Sequence, residues 1–306
     1  MIFNFFIKPN QNRTVMKHKS MICRLLTVTA ALTISSLQNA TADPLLDPTF
    51  NTLFKPLMAD PTEPRIAVMP WLNDNYLQLD IGTSVDLYQN DKKDFAVGVD
   101  FGTYSLLERG DNFKFPVDTI DYMFGINATW KKNIASDSFP FDELSARVRL
   151  SHISAHFEDG HFDNETNQWI QGDCPFEIPF TYSREFVNAV VALSSPDKRI
   201  YAGYQYIYHT SPGNISPHSF QAGVEIGRPD NIYAALDYKL LPIWDESRNE
   251  SQGYRGTLNL QAGTRLGFIG LDGVRLAYNY FNGMSRQGMY FYRDESYSSL
   301  GMIIDL

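Results

Sequence analysis

The sequence predicts an all-β protein, an antiparallel outer-membrane β-barrel of about 12 strands. Apolar and polar residues alternate with a period of two in about twelve segments, as they do along strands with one apolar face. These segments are about 9 to 14 residues long, close to a tilted membrane-spanning strand and longer than most strands of soluble domains. Their connections are mostly short at one end and long at the other, which is typical of bacterial barrels.

Residues 1–42 predict a signal peptide. They contain five basic side chains and no acidic one, with a mostly apolar run from Met21 to about Leu37. Ala40-Thr41-Ala42 follows as a small-x-small cleavage pattern. The run is interrupted by polar residues and is short for a membrane-spanning helix. Export and the barrel pattern together predict the outer membrane of a Gram-negative-type bacterium as the location.

Two further regions complete the predicted organisation. Residues 43–64 are proline-rich and predict an N-terminal periplasmic segment, and residues 65–306 predict the barrel. The predicted strands span residues 65–71, 76–89, 94–107, 118–131, 144–158, 180–193, 199–209, 216–227, 231–240, 252–268, 274–281 and 298–306. A soluble β-sandwich or lipocalin-like barrel is the alternative fold, because its strands alternate in the same way.

The charge balance restricts the partners. The chain has 26 Lys and Arg against 35 Asp and Glu, a formal net charge of −9, and removal of residues 1–42 makes it more acidic. No nucleic-acid partner is expected, because nucleic-acid binding normally requires a basic surface. The expected partners are the lipid bilayer, either phospholipid or lipopolysaccharide, and the barrel assembly machinery. Cys174 is the one cysteine after residue 42, so no intrachain disulfide is expected.

The fifth predicted strand carries the candidate chemistry. Its apolar side, which includes Val148 and Leu150, continues as His152, Ser154 and His156. Two residues span about 6.5 Å on one face of a strand, so the His152 imidazole can take the Ser154 hydroxyl proton. These three residues alternate in step with Val148 and Leu150, so they are expected to face lipid. Their place in the strand is near the outer headgroup boundary, where phospholipid ester bonds lie. The pattern therefore predicts a Ser154/His152 dyad for hydrolysis of lipid acyl esters.

A third residue is expected to orient the histidine from the neighbouring strand. Glu185 begins that strand and shares the parity of its apolar residues, such as Val187, so it is the candidate for this role. The alternative is a β-bulge near Ser151, which would turn the row inward as ordinary polar residues of the lumen.

Two other functions remain open from the residues alone. Charged residues predicted to face the lumen can line a narrow pore, or can pair with one another in a structural barrel. The acidic loop after the fifth strand offers Asp159 and Asp163 as weak calcium ligands, although it lacks the spacing of a known calcium loop. No other cofactor is expected.

Two stretches resemble a known family. Residues 54–65, FKPLMADPTEPR, and residues 149–159, RLSHISAHFED, are similar to the F-x-P-L-x-A-D-P-x-x-P-R and R-L-x-H-x-S-S-H-x-x-D motifs of the DUF1207 family, exported bacterial proteins of uncharacterised role. Ala155 and Glu158 stand where that family has Ser and Gly. The resemblance covers nearly the whole chain after the signal. It implies an outer-membrane setting and supplies no activity.

The His-x-Ser spacing also resembles a second group of proteins. His152-Ile153-Ser154 is similar to the His-x-Ser found on the lipid-facing side of a barrel strand in the outer-membrane phospholipase and lipid A deacylase families. The resemblance to the phospholipase implies a twelve-stranded barrel with Ser154 as the nucleophile. That family has Asn after the nucleophile, whereas this chain has Ala155, so the resemblance leaves the oxyanion donor unassigned.

Overall fold

The described residues form a closed antiparallel barrel. The computed structural model describes residues 46–227, 232–245 and 248–306, so the predicted signal peptide, residues 1–42, lies outside the described residues. The strands are β1 Ile66–Pro70, β2 Tyr76–Gln89, β3 Phe95–Glu108, β4 Val117–Asn133, β5 Glu143–Phe157, β6 Phe162–Asp163, β7 Gln168–Trp169, β8 Tyr182–Ser195, β9 Lys198–Ser211, β10 His218–Gly227, β11 Ile232–Asp245, β12 Glu250–Leu266, β13 Leu271–Met284 and β14 Asp294–Ile304. No helix in this part of the chain is long and apolar enough to cross a membrane.

Twelve of these strands make the barrel wall. Each wall strand pairs with its neighbours along the chain, β1 closes the barrel against β14, and β6 and β7 form a separate two-stranded sheet between β5 and β8. The predicted antiparallel barrel of twelve strands is therefore confirmed. The largest difference in boundaries is at β11, which continues past Leu240 to Asp245. A register shift between Pro242 and Trp244 allows this, because a bulge accommodates a proline that lacks the N–H donor.

The two faces of the wall differ in polarity. Side chains on the outer face are apolar and exposed, as at Phe101, Phe124, Ile126, Val148 and Leu150. Side chains on the inner face are largely polar and buried; they include Asp80, Asp100, Asn127, Arg147, Arg149, Gln221, Glu225, Asp237, Asn259 and Gln261. The strict alternation along each strand produces this separation.

Residues 52–65 lie inside the barrel, and we call them the N-terminal plug. Phe54 and Leu57 of the plug pack against Val190, Ala192 and Tyr201 of the wall. The rest of the plug forms ion pairs with the wall: Glu63 with Arg147 and Arg149, Asp60 with Lys239, and Arg65 with Asp80. The sequence predicts residues 43–64 as a periplasmic segment, and residues 52–64 of this segment lie in the lumen.

A second segment, residues 285–291, enters the lumen at the end with the longer loops, and we call it the lumen turn. The N–H of Gly288 donates to Asp121 Oδ2 at 2.7 Å, and the Tyr290 hydroxyl donates to Asp118 Oδ2 at 2.6 Å. A Cβ on Gly288 would lie 2.4 Å from the Tyr182 ring and 2.7 Å from Ala155 Cβ, so only glycine fits this close approach. The plug and the lumen turn together occupy the interior.

The lumen charges pair with one another. Arg149 Nε donates to Asp100 Oδ2 at 2.8 Å, and its Nη2 lies 3.4 Å from Glu63 Oε2. Asp80 accepts from both Arg65 and Arg286. Of the two arrangements open from the sequence, a charged pore lining or mutual pairing, the described residues form the second.

Removing one charge from a buried ion pair should lower the stability of the protein more than removing one from an exposed pair. Glu63→Gln leaves Arg147 and Arg149 short of a buried negative charge, so the free energy of unfolding should fall by about 3 kcal/mol or more. Glu143→Gln breaks the pair with Lys131, whose two side chains are about one third exposed, and should cost less than about 1 kcal/mol. Denaturant unfolding of the detergent-refolded protein measures both, and equal losses would contradict this account of the lumen.

Candidate functional site

The candidate residues of β5 face outward. His152, Ser154 and His156 lie on the same side of the strand as exposed Val148 and Leu150, while the intervening Ala155 is buried. The pairings of β5 with β4 and with β8 run without a register shift through this region. The alternative of a bulge near Ser151 that turns the row inward is therefore wrong for this structure.

Glu185 lies directly across from His152 on β8. His152 Nδ1 lies 2.6 Å from Glu185 Oε1, and both side chains are about one quarter exposed. An ionised carboxylate only accepts hydrogen bonds, so in the neutral form of the His152 ring the proton is on Nδ1 and the lone pair is on Nε2. The structure thus brings together two of the three residues predicted for the site, in the orientation that makes the imidazole a base.

A second imidazole, which the sequence reasoning missed, completes the contacts of Glu185. His209 Nδ1 bonds to the other carboxylate oxygen, Oε2, and the Ser183 hydroxyl donates to Oε1 at 3.1 Å. Strict alternation would turn His209 inward, because Tyr204, Tyr206 and Tyr208 face outward on the same strand. The pairing of β8 with β9 shifts by one residue between Glu185 and Phe186, and His209 is 66% exposed as a result.

Ser154 lies between two other hydroxyl residues. Its partners across the ladder are Tyr122 on β4 and Ser183 on β8. Within the described part of the chain its hydroxyl has no hydrogen bond to His152. The spacing of two residues on one face, about 6.5 Å along the strand, brings the two side chains within reach after a rotation of the serine side chain.

The residue after Ser154 is fixed by packing inside the barrel. Ala155 is fully buried, and its Cβ is among the atoms that a Cβ on Gly288 would meet. A side chain at this position therefore points into the lumen and cannot donate to a group on the outer face. The outward hydroxyl opposite Ser154 on β4 belongs to Tyr122, which has no hydrogen-bond partner in the described residues.

The predicted calcium ligands do not form a metal site. Asp159 Oδ1 accepts from the N–H of Val117 at 3.2 Å, and Asp163 accepts from Glu165 and Thr166 within its own turn. The Thr166 hydroxyl and the Glu165 N–H lower the pKa of Asp163. Across residues 46–227, 232–245 and 248–306, no group of three His, Cys, Asp or Glu residues is arranged to hold a metal ion. These donors do not fit a calcium site.

Comparison with known proteins gives one family and several similar folds. The family model described as "Protein of unknown function (DUF1207)" matches residues 26–304. The Escherichia coli outer membrane phospholipase A, in an active-site mutant form, is similar at a TM-score of 0.54 and 11% identity, covering 83% of this chain and 95% of that chain. The Salmonella typhi outer membrane phospholipase dimer with bound calcium is similar at a TM-score of 0.54 and 10% identity, covering 82% and 94%. At these identities the likeness concerns the fold. A comparison with curated proteins finds no match.

The shared carboxylate predicts the tautomers of two histidines. At a pH where the rings are neutral, imidazole ¹⁵N NMR should find a protonated Nδ1 and a bare Nε2 in both His152 and His209. Glu185→Leu removes the acceptor and should return both rings to a mixture dominated by the Nε2–H form. Glu165→Gln, in an exposed loop, serves as the control. A bare Nδ1 on His152 in the unaltered protein would contradict the assigned hydrogen bond.

Proposed function

The chain belongs to the DUF1207 family, whose description assigns no activity, and we propose that it is an outer-membrane barrel that hydrolyses lipid acyl esters at Ser154. One observation carries the proposal. The Glu185 carboxylate holds His152 by Nδ1 and leaves Nε2 available on the face that carries Ser154. Glu185 is then the acid, His152 the base and Ser154 the nucleophile, the arrangement that serine hydrolases use.

Three features support the outer membrane as the location. The outer face of the barrel is apolar, with Phe124 54% exposed and Ile126 57% exposed. Most wall strands are 10 to 17 residues long, enough to span a hydrocarbon core when tilted. The fold is also similar to outer membrane phospholipase, which is an outer-membrane protein by its name. The implied partners are the lipid bilayer and the barrel assembly machinery.

The depth of the site supports a lipid ester as the substrate. The outward residues of β5 up to Leu150 are apolar, and the polar row begins at His152, toward the end of the barrel with the longer loops. In bacterial barrels this end is extracellular. The row then lies at the boundary between acyl chains and headgroups, where phospholipid and lipid A esters are placed.

The proposed reaction uses this chain's residues in two steps. Ser154 Oγ attacks the ester carbonyl carbon while His152 Nε2 takes its proton, and the bond from the carbonyl carbon to the alcohol oxygen breaks as that oxygen receives the proton. Water then attacks the acyl-serine ester with the same imidazole as base, which releases the fatty acid and restores the hydroxyl. Glu185 stabilises the imidazolium in both steps, and His209 holds the carboxylate in place. Tyr122 is the proposed donor to the oxyanion.

The filled lumen favours this function over a pore. The N-terminal plug and the lumen turn occupy the interior and bond to the wall, so an open aqueous path has no support among the described residues. The proposed steps use side chains of this chain alone; Asp159 accepts from the N–H of Val117, and Asp163 accepts from Glu165 and Thr166. Assays with calcium and with a chelator are expected to give equal rates.

Loss of the nucleophile is the direct test. The detergent-refolded protein should release fatty acid from phospholipid or lipopolysaccharide, and Ser154→Ala should lower the rate by about 10³-fold or more. Ser298→Ala is the matched control, since this serine on β14 bonds to the Tyr278 hydroxyl on the exposed face. Folding is checked by gel migration that changes on heating. No release above an empty-detergent control, across these lipids, would refute the enzyme.

The carboxylate tests the mechanism separately. Glu185→Gln keeps the size of the side chain but offers an amide that can donate to Nδ1, so it permits the wrong tautomer of His152. The rate should fall by about 10² to 10⁴-fold with little change in KM, because the loss concerns the transition state. An unchanged rate in Glu185→Gln would exclude Glu185 from the reaction. The role of Ser154 would still be tested by Ser154→Ala.

A further inference from the structure

A cavity of about 140 Å³ lies inside the barrel, between the N-terminal plug and the lumen turn. Part of its wall is a row of polar side chains from three adjacent strands, Asn188 on β8, Gln205 on β9 and Ser219 on β10, which are paired in register. None of these three side chains has a hydrogen-bond partner within the described part of the chain. Interior polar groups are nearly always satisfied, so this row requires water or a ligand.

Arg184 adds to the same wall a positive charge that has no ion pair among the described residues. It lies four residues before Asn188 on the inner face of β8, and its guanidinium stacks on Tyr182 at 4.9 Å and on Phe291 at 5.2 Å. Its Nε is buried without a partner, and the described residues offer the guanidinium no ion pair or hydrogen bond. Asp121 interacts electrostatically with Arg184 without forming an ion pair; its Oδ2 accepts from the N–H of Gly288, and its Oδ1 has no hydrogen bond in the described part of the chain.

The other cations that line the cavity are neutralised, which distinguishes Arg184 from them. Lys239 bonds to Asp60 at 2.6 Å, and Arg149 and Arg286 bond to Asp100 and Asp80. Among the described residues that line the cavity, Asp60 is the only acid, and it is engaged by Lys239 and Gln221. A partly buried guanidinium without an ion pair is incompletely stabilised, so the site favours an anion.

Apolar side chains form another part of the cavity wall. Ile153, Phe186, Phe281 and Phe291 line it. A cavity of about 150 Å³ in another protein accepts a benzene ring, so the volume here fits a small organic molecule with one charged group. The polar row and Arg184 lie on one side for that group, and the phenylalanine side chains pack against its apolar part.

We propose that this cavity is a binding site for a small organic carboxylate about the size of benzoate, with Arg184 as its counter-charge. The carboxylate bonds to the Arg184 guanidinium and to the donors of Asn188, Gln205 and Ser219. This site shares no residue with the outward row on β5, so it stands or falls independently of hydrolysis at Ser154.

Calorimetric titration of the refolded full-length chain tests the ligand class. The probes are benzoate, its neutral analogue benzamide, and inorganic phosphate. Benzoate should bind at least tenfold more tightly than benzamide, because a charged hydrogen bond replaces a neutral one beside an unpaired guanidinium. Equal affinities for the two, no heat of binding for any probe, or phosphate binding as tightly as benzoate would each overturn the proposal.

Variants test the residues. Arg184→Met keeps an unbranched side chain against Tyr182 and Phe291 and should weaken benzoate binding at least tenfold. Arg248→Met, which removes an exposed guanidinium near Asp245, should leave it unchanged. Ser219→Ala removes a single hydroxyl and should weaken binding two- to fivefold even if the arginine variant fails to refold. Retained affinity in the folded Arg184→Met protein, or in Ser219→Ala, would overturn the site.

Discussion

Closure of the barrel is the constraint on which the other features depend. Because β1 pairs with β14, each wall strand has two hydrogen-bonded neighbours, and alternation assigns every side chain to one of two faces. An apolar outer face and a polar inner face follow. Polar residues on the outer face are then exceptions, and His152, Ser154, Glu185 and His209 gather at one place on it.

The polar inner face creates a second requirement, since charges removed from water need partners. The N-terminal plug meets much of it by placing Asp60 and Glu63 against basic residues of the wall. The lumen turn approaches from the other end and donates hydrogen bonds to Asp121 Oδ2 and Asp118 Oδ2. Arg184 stacks on Phe291 of the lumen turn but receives no ion pair from either segment, and the cavity beside it is where we propose that a ligand binds.

Sequence periodicity predicted the wall well because each strand repeats one simple rule. All twelve wall strands were expected near their observed positions, and the pairing of His152 with Glu185 followed from parity and antiparallel order. His209 was missed because a bulge reverses parity locally, and one sequence gives no sign of where a ladder slips. The alternation of apolar and polar residues also could not predict that the lumen is filled. Residues 52–65 and 285–291 have no regular pattern, and contacts with distant strands hold them in place.

The close packing of Gly288 on Ala155 has a consequence for finding similar proteins. The position after the serine is reserved for a small residue by the interior of the barrel, so the groups that assist Ser154 come from neighbouring strands rather than from its own segment. A linear motif that demands a polar residue after the serine would discard this chain. A structural search for residues that lie side by side on three or four neighbouring strands would find this chain.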